Sequence, residues 1–355
     1  MNEATWPHAD IPPRPTEALL IEQLATLDAQ RVLCTSLGRA QAAFVAARQW
    51  PTAEVECLYL DLYRAELARA AIGECPPNLT IRCDVDFHTT DVDLAVLPLS
   101  STGEAELTRE LLQSAFVRLK LGGTLLASTD NVRDSWLLDE LAKLERRVER
   151  IVAETGVVYR LVKRQPLKRV RDFSCEVVFR DGERLLRAVT RPGVFSHRHV
   201  DPGARRLMEA MTVSAGERVI DIGCGWGAVA LAAAARSPDA QVLAIDSHAR
   251  AIACTSHAAE LNGLTNLQVL HTARGDCDQP GSYDLALANP PYYGNFRIAE
   301  LFLDAAHRAL RPQGRIVVVT KLVEWYEEHM SRWFNDIEVS EQRGYQIVAG
   351  VRNAK

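Results

Sequence analysis

The sequence predicts an α/β fold built twice: two tandem domains, each a mostly parallel seven-stranded sheet with helices on both faces. Three observations carry this. Apolar runs of strand length alternate with helix-period segments along the whole chain. The pattern of the first half returns in the second at an offset that drifts only between 187 and 191 residues. And one apolar run, Val219-Ile-Asp-Ile, feeds a glycine-rich turn that opens a helical segment.

The repeat fixes the elements in order. Arg31-Val-Leu-Cys resembles Arg218-Val-Ile-Asp, the first strand of each copy. Val55 to Asp61 resembles Val242 to Asp246, each a strand ending in Asp. Asp93-Leu-Ala-Val-Leu-Pro98 matches Asp284-Leu-Ala-Leu-Ala-Asn289 without gaps. In both copies 26 residues separate that Asp from the next repeat, which begins at Leu119 and at Leu310. Helix-period segments fill both intervals, Glu104 to Leu119 and Phe296 to Leu310. In the second copy strands are expected near 218–222, 241–245, 266–270, 283–288 and 314–320, then two more near the C-terminus. Between the copies, Cys175 to Val189 reads as a hairpin around Asp181-Gly182.

Composition excludes several classes. With 355 residues, 47% hydrophobic and 25% charged, the chain can build two ordinary cores and is not disordered in bulk. The first fifteen residues are polar and proline-rich and do not read as a signal peptide. No apolar run approaches the roughly 18 residues of a membrane span. Eight cysteines are scattered without a Cys-x-x-Cys, which fits reduced thiols and a cytoplasmic location. His197 and His199 lack a third ligand at metal spacing, so no metal is expected. The net charge of −5 argues against a general nucleic-acid binder. The distribution says more: Arg160 to Arg206 holds 13 Lys+Arg against 5 Asp+Glu. The rest of the chain therefore carries −13, eight below the whole, and the basic band suggests a localised polyanion contact. An Arg-rich solvated linker would look the same.

In the turn, Gly223, Gly225 and Gly227 would let backbone approach a ligand closely. The spacing differs from the nicotinamide fingerprint, and the Lys-Ser/Thr of a phosphate loop is missing. Asp221, at the strand end, would repel a pyrophosphate and suits a cationic ligand. S-adenosylmethionine carries a sulfonium and an ammonium. Asp246 ends the next strand, 23 residues after Gly223, and could accept hydrogen bonds from two ribose hydroxyls. It could equally cap the following helix.

Asn289-Pro-Pro-Tyr292 follows the fourth strand at the same sheet edge. The Asn289 side-chain oxygen and the Pro290 carbonyl are two acceptors that could hold both hydrogens of an exocyclic amino group. Tyr292 could stack on a planar base. Tyr293 and Trp226 read as packing residues.

These residues resemble the class I S-adenosylmethionine-dependent methyltransferases, and within them the ribosomal RNA guanine-N2 methyltransferases. The matching pieces are Arg191-Pro-Gly-Val-Phe-Ser196 with Asp201-x-Gly203, Asp221-Ile-Gly-Cys-Gly225, Asn289-Pro-Pro-Tyr292, and the preceding Arg180-Asp-Gly. The resemblance implies two Rossmann-like domains, a degenerate one over 1–165 and a catalytic one over 193–355, with a basic linker and hairpin at 166–192. It implies S-adenosyl-L-methionine held by Asp221, Gly223, Cys224, Gly225, Gly227 and Asp246, with Phe195 and Asp201 helping to close the pocket. Asn289, Pro290 and Tyr292 would be catalytic. Arg164, Lys168, Arg169, Arg171 and Arg198 would contact RNA. The expected partner is ribosomal RNA or a ribosomal subunit, met by a monomer, with the small subunit favoured.

The first copy departs from this pattern. Cys34 stands at the Asp221 position, Ser36 at Gly223 and Ala40 at Gly227, leaving Gly38, and Asp61 as the ribose acid. Pro98 replaces Asn289. Protein glutamine methylation, adenine-N6 methylation and a non-catalytic RNA-binding assembly factor stand as competing functions.

Overall fold

Strands rich in Val, Leu, Ile and Ala on both faces can be stable only between two layers of helices. The computed structural model, which describes residues 12–291 and 296–353, has that arrangement twice. The chain divides into two units between Phe173 and Ser174.

The first unit runs α1 (Pro15–Leu24), β1 (Arg31–Thr35), α2 (Gln41–Gln49), β2 (Glu54–Tyr59), α3 (Leu62–Ile72), β3 (Leu79–Cys83), β4 (Val92–Leu99), α4 (Ala105–Arg118), β5 (Leu119–Thr129), α5 (Trp136–Leu144), β6 (Val148–Ala153) and β7 (Gly156–Val162). Its seven strands lie in the order β3-β2-β1-β4-β5-β7-β6. The first five are parallel, and β7 runs antiparallel to both β5 and β6.

The second unit opens with a hairpin, β8 (Cys175–Asp181) and β9 (Arg184–Thr190). It continues α6 (Pro202–Ala210), β10 (Arg218–Ile222), α7 (Ala228–Arg236), β11 (Gln241–Asp246), α8 (Ala249–Leu261), β12 (Leu267–His271), β13 (Tyr283–Ala288), α9 (Arg297–Ala309), β14 (Leu310–Thr320), α10 (Val323–His329), β15 (Phe334–Gln342) and β16 (Tyr345–Arg352). The strand order β12-β11-β10-β13-β14-β16-β15 is that of the first sheet.

The same residues do the same framework jobs in both copies. Asn78 donates to the carbonyls of Ala47, Trp50 and Ala53, and Asn266 donates to those of Ala234, Ser237 and Ala240. Each amide thus ties a helix end and its following turn to the next strand. Asp93 accepts from the Arg31 N–H, and Asp284 from the Arg218 N–H, at 2.8 Å in both cases. These carboxylates pin the fourth strand to the first. Each sheet is covered by two apolar clusters, one per face. In the second unit the short side chains of α7 lie flat on one face, and Ala228 to Ala235 are all buried.

Two expectations change. The hairpin expected in the linker instead packs into the second unit: Val177, Phe179, Leu186 and Ala188 are buried in its core. Its period-2 alternation gives one apolar face, which has to be covered. And Asp61 is not the counterpart of Asp246. Thr35 pairs with Leu58 as Ile222 pairs with Ile245. The residue after Leu58, Tyr59, therefore stands where Asp246 stands. Asp61 lies two residues further on and caps α3 through the Arg64 N–H at 2.9 Å.

Candidate active site

In β10 and β13 the register sets Ile222 beside Ala288. The next residues, Gly223 and Asn289, therefore leave the sheet side by side at its carboxyl edge. The ligand-binding turn and the Asn-Pro corner meet there because the strand order reverses between these two strands.

The turn needs its glycines. Gly223, Gly225 and Gly227 have φ of 72°, 56° and 93°, a region that side chains rarely adopt. A Cβ on Gly223 would overlap the ring of Phe302, and one on Gly227 would come within 2.7 Å of Thr255. The Gly223 and Cys224 N–H groups both donate to the Ile245 carbonyl, and the Thr255 hydroxyl donates to the Gly225 carbonyl at 3.0 Å. The turn is thus held by contacts within the chain itself. Gly225 differs from its neighbours: among the described residues a Cβ there would meet nothing nearer than the Phe195 carbonyl, at 3.9 Å. The described residues leave space over this glycine. Phe195 itself is exposed beside it.

Asp246 closes one side of this space. One carboxylate oxygen accepts from the Gly225 N–H at 2.9 Å and the other from the His248 N–H at 2.8 Å. Asp221, expected at the cofactor, lies beneath the turn. Its carboxylate is 3% exposed and accepts from the Ala230 N–H at the start of α7. Burial pushes its pKa up to about 7, the Ala230 hydrogen bond opposes that, and the nearby Asp246 charge adds to it. It shapes the turn from beneath. Cys224 likewise faces inward, 3.6 Å from the Thr255 hydroxyl, with a thiol pKa raised by burial. Trp226 is buried edge-on against Phe179, a packing residue as expected.

Asn289 is partly exposed, and Pro290 behind it is buried. The Asn289 side-chain N–H donates to Asp201 Oδ2 at 2.9 Å. That same oxygen accepts from the Ala204 N–H and so caps α6. Asp201, expected at the cofactor, is thereby tied to the Asn-Pro corner, a contact across 88 residues of chain. Tyr292, Tyr293 and Asn295 lie outside the described residues.

In the first unit a side chain stands over the counterpart of the glycine turn. Glu17 of α1 is fully buried and accepts from the Ser36 hydroxyl at 3.1 Å and from the Ala42 N–H at 3.1 Å. A Cβ on Gly38, the counterpart of Gly225, would meet Glu17 Oε2 at 3.1 Å. Burial raises the Glu17 pKa, while its hydrogen bonds from Ala42 and Ser36 oppose this. Tyr59, in the Asp246 position, donates its hydroxyl to the Gly38 carbonyl at 3.2 Å.

The expected RNA-contacting residues fall in both units. Arg164, Lys168, Arg169 and Arg171 lie on the exposed segment after β7. Gln113 of α4 holds that segment by two hydrogen bonds to the Arg171 backbone, both 2.8 Å. Arg164 lies 3.4 Å from Glu145, and the Arg171 guanidinium covers the Phe173 ring. Arg198 is exposed in the second unit with a φ of 84°. Among the described residues no His/Cys/Asp/Glu group could hold a metal ion, and no helix is long and apolar enough to cross a membrane.

Comparison with known proteins finds relatives of the second unit and a solved structure of the same fold. Residues 186–349 match the methyltransferase small domain family. The ribosomal RNA small subunit methyltransferase C of Chromohalobacter salexigens is 32% identical over 173 residues, covering 46% of this chain and 51% of that protein. The ribosomal RNA large subunit methyltransferase G of Photobacterium profundum is 31% identical over 177 residues, 47% of this chain and 46% of that one. The chain spans about half the length of the curated relatives it matches. A solved T. thermophilus 16S rRNA N2 methyltransferase, in complex with AdoMet and guanosine, shares the fold. Its TM-score is 0.81 at 22% identity, covering 96% of this chain and 92% of that one.

Proposed function

We propose that the second unit transfers a methyl group from S-adenosyl-L-methionine to the exocyclic N2 amino group of a guanine in ribosomal RNA, with the small subunit as the favoured source. The observation that carries this reading is the pairing of Ile222 with Ala288, which sets an open glycine turn beside an Asn-Pro corner. Methyl transfer needs the cofactor turn and the amino-group clamp side by side, so that both reactants are held in line. The matching family and the names of the relatives support the reaction class.

The residues present fit the cofactor. Gly225 presents backbone without a Cβ, and Asp246 beside it can accept from ribose hydroxyls. When bound, the cofactor supplies an electrophilic methyl on a sulfonium. The Asn289 oxygen and the Pro290 carbonyl accept the two N2 hydrogens and aim the nitrogen lone pair along the line of attack. Holding two reactants in line can supply roughly 7–11 kcal/mol of barrier reduction. No strong base is required, because the proton leaves after the nitrogen has reacted. Stacking by Tyr292 is part of the proposal on sequence grounds. The guanine must be single-stranded or flipped from its stack to enter. Arg164, Lys168, Arg169, Arg171 and Arg198 are proposed to hold the RNA backbone, since phosphate contacts position without reading sequence. The chain is proposed to act as a monomer in a reducing cytoplasm, in line with its eight free cysteines.

The test is labelled methyl transfer to isolated ribosomal subunits and to naked ribosomal RNA, followed by nucleoside mass spectrometry. N2-methylguanosine is expected. N6-methyladenosine or methylated protein in its place refutes the reading.

A further inference from the structure

We infer that Asp201 is a positioning residue for the transfer step: it fixes the Asn289 amide so that only its oxygen faces the substrate. This rests on the proposed amino-group methylation and adds a residue to it.

The geometry is specific. An amide side chain can present either its oxygen or its nitrogen to a ligand, and rotation by half a turn exchanges them. A carboxylate accepts hydrogen bonds and donates none. With Asp201 Oδ2 at 2.9 Å from the Asn289 side-chain nitrogen, the NH2 end is committed to Asp201. The oxygen is left for the ligand. The corner then offers two acceptors, the Asn289 oxygen and the Pro290 carbonyl. A donor amino group satisfies both, whereas a carbonyl edge would face two oxygens. Asp201 therefore contributes to selectivity for amino groups as well as to alignment.

Asp201 is itself held. The same Oδ2 caps α6 by accepting from the Ala204 N–H at 2.9 Å, and Pro202 follows at the first helical position. The end of α6 is thus a fixed post against which the Asn289 amide is set. The first unit supplies an independent observation. Its helix α1 also begins with Pro, but the cap residue is Arg14, which makes no side-chain cap. Pro98 stands at the Asn289 position. The carboxylate and the amide are missing together from the copy in which the site is filled.

Two variants separate this role from capping and from cofactor binding. In Asp201→Ser the hydroxyl still caps α6 but is too short to reach Asn289. In Asp201→Asn the amide oxygen can accept from both Ala204 and Asn289. Steady-state methylation of the RNA substrate is measured for each, with cofactor affinity by calorimetry and thermal melting alongside. For Asp201→Ser, kcat is expected to fall about a hundredfold, the effect of misplacing a reacting group by an ångström, while cofactor Kd and melting temperature stay near wild type. For Asp201→Asn, kcat is expected to recover to within about tenfold of wild type, since a neutral acceptor makes a weaker bond than a charged one. Wild-type kcat in the Ser variant overturns the inference. So does a loss of activity matched by an equal loss of cofactor affinity, or an Asn variant as slow as the Ser variant. A wild-type enzyme that forms no N2-methylguanosine refutes the function on which the inference rests, and is seen before either variant is made.

Discussion

Glu17 and Asp221 do the same job from different places. In the second unit a carboxylate inside β10 accepts from the start of α7 and lies beneath the glycine turn. In the first unit β1 carries Cys34 at that position, and the carboxylate that meets α2 comes from α1 on the ligand side. Both arrangements satisfy a helix N-terminus, where free N–H groups and the helix dipole favour negative charge. Only the arrangement of the second unit keeps the carboxylate off the open side of the turn. A helix end needs an acceptor, and the side from which it comes decides what space is left over the turn. Around this difference the framework is unchanged: strand order, the Asn78 and Asn266 tethers and the Asp93 and Asp284 pins recur.

The largest effect is expected at the Asn-Pro corner. Asn289→Ala is expected to lower kcat by about a hundredfold or more with cofactor affinity kept, because alignment is lost while the turn is untouched. Single-turnover methylation with calorimetry checks this. Next is Asp246→Ala, which removes both proposed ribose contacts. At about 1.5–3 kcal/mol per hydrogen bond to a charged group, losing two should weaken cofactor Kd about a hundredfold or more, read by equilibrium dialysis. Glu17→Ala leaves the Ser36 hydroxyl and the Ala42 N–H without their acceptor in a buried site. It is expected to destabilise the first unit by about 1–3 kcal/mol without creating a second cofactor site, because Tyr59 still stands in place of the ribose acid. Denaturant melting and dialysis read the two halves of that statement.

The smallest effect concerns pH. Asp221 has a folded pKa of about 7, raised from 3.8 by burial. Its contribution to stability is therefore full below about pH 4 and is lost as pH rises through 7. Asp221→Asn keeps an acceptor for Ala230 and carries no charge. Its melting temperature relative to wild type should increase between pH 5 and pH 8; a gap independent of pH would show that the carboxyl does not titrate differently on folding.

Much of this was legible in the sequence. Strand length and period-2 or period-3.6 patterning located β10 to β14, α4, α9 and the hairpin to within a few residues. The turn glycines and Asn289 stood out because few residue types serve there. Three features were not legible, each for a reason. The strand ends Tyr59 and Asp61 look interchangeable without the register, which makes Asp61 read as the ribose acid. Parallel strands are apolar on both faces, so their pattern does not show that Asp221 points under the turn. The contacts of Asp201 with Asn289 and of Glu17 with Ala42 join residues 88 and 25 positions apart, and no local pattern encodes them.

On the proposed function the second unit takes the cofactor, while the first is closed by its own chain. Equilibrium dialysis of S-adenosyl-L-methionine against the full-length protein tests it most directly. One site per chain is predicted, weakened by Asp246→Ala and unaffected by Glu17→Ala. Two sites, or one that survives Asp246→Ala at full affinity, would contradict it.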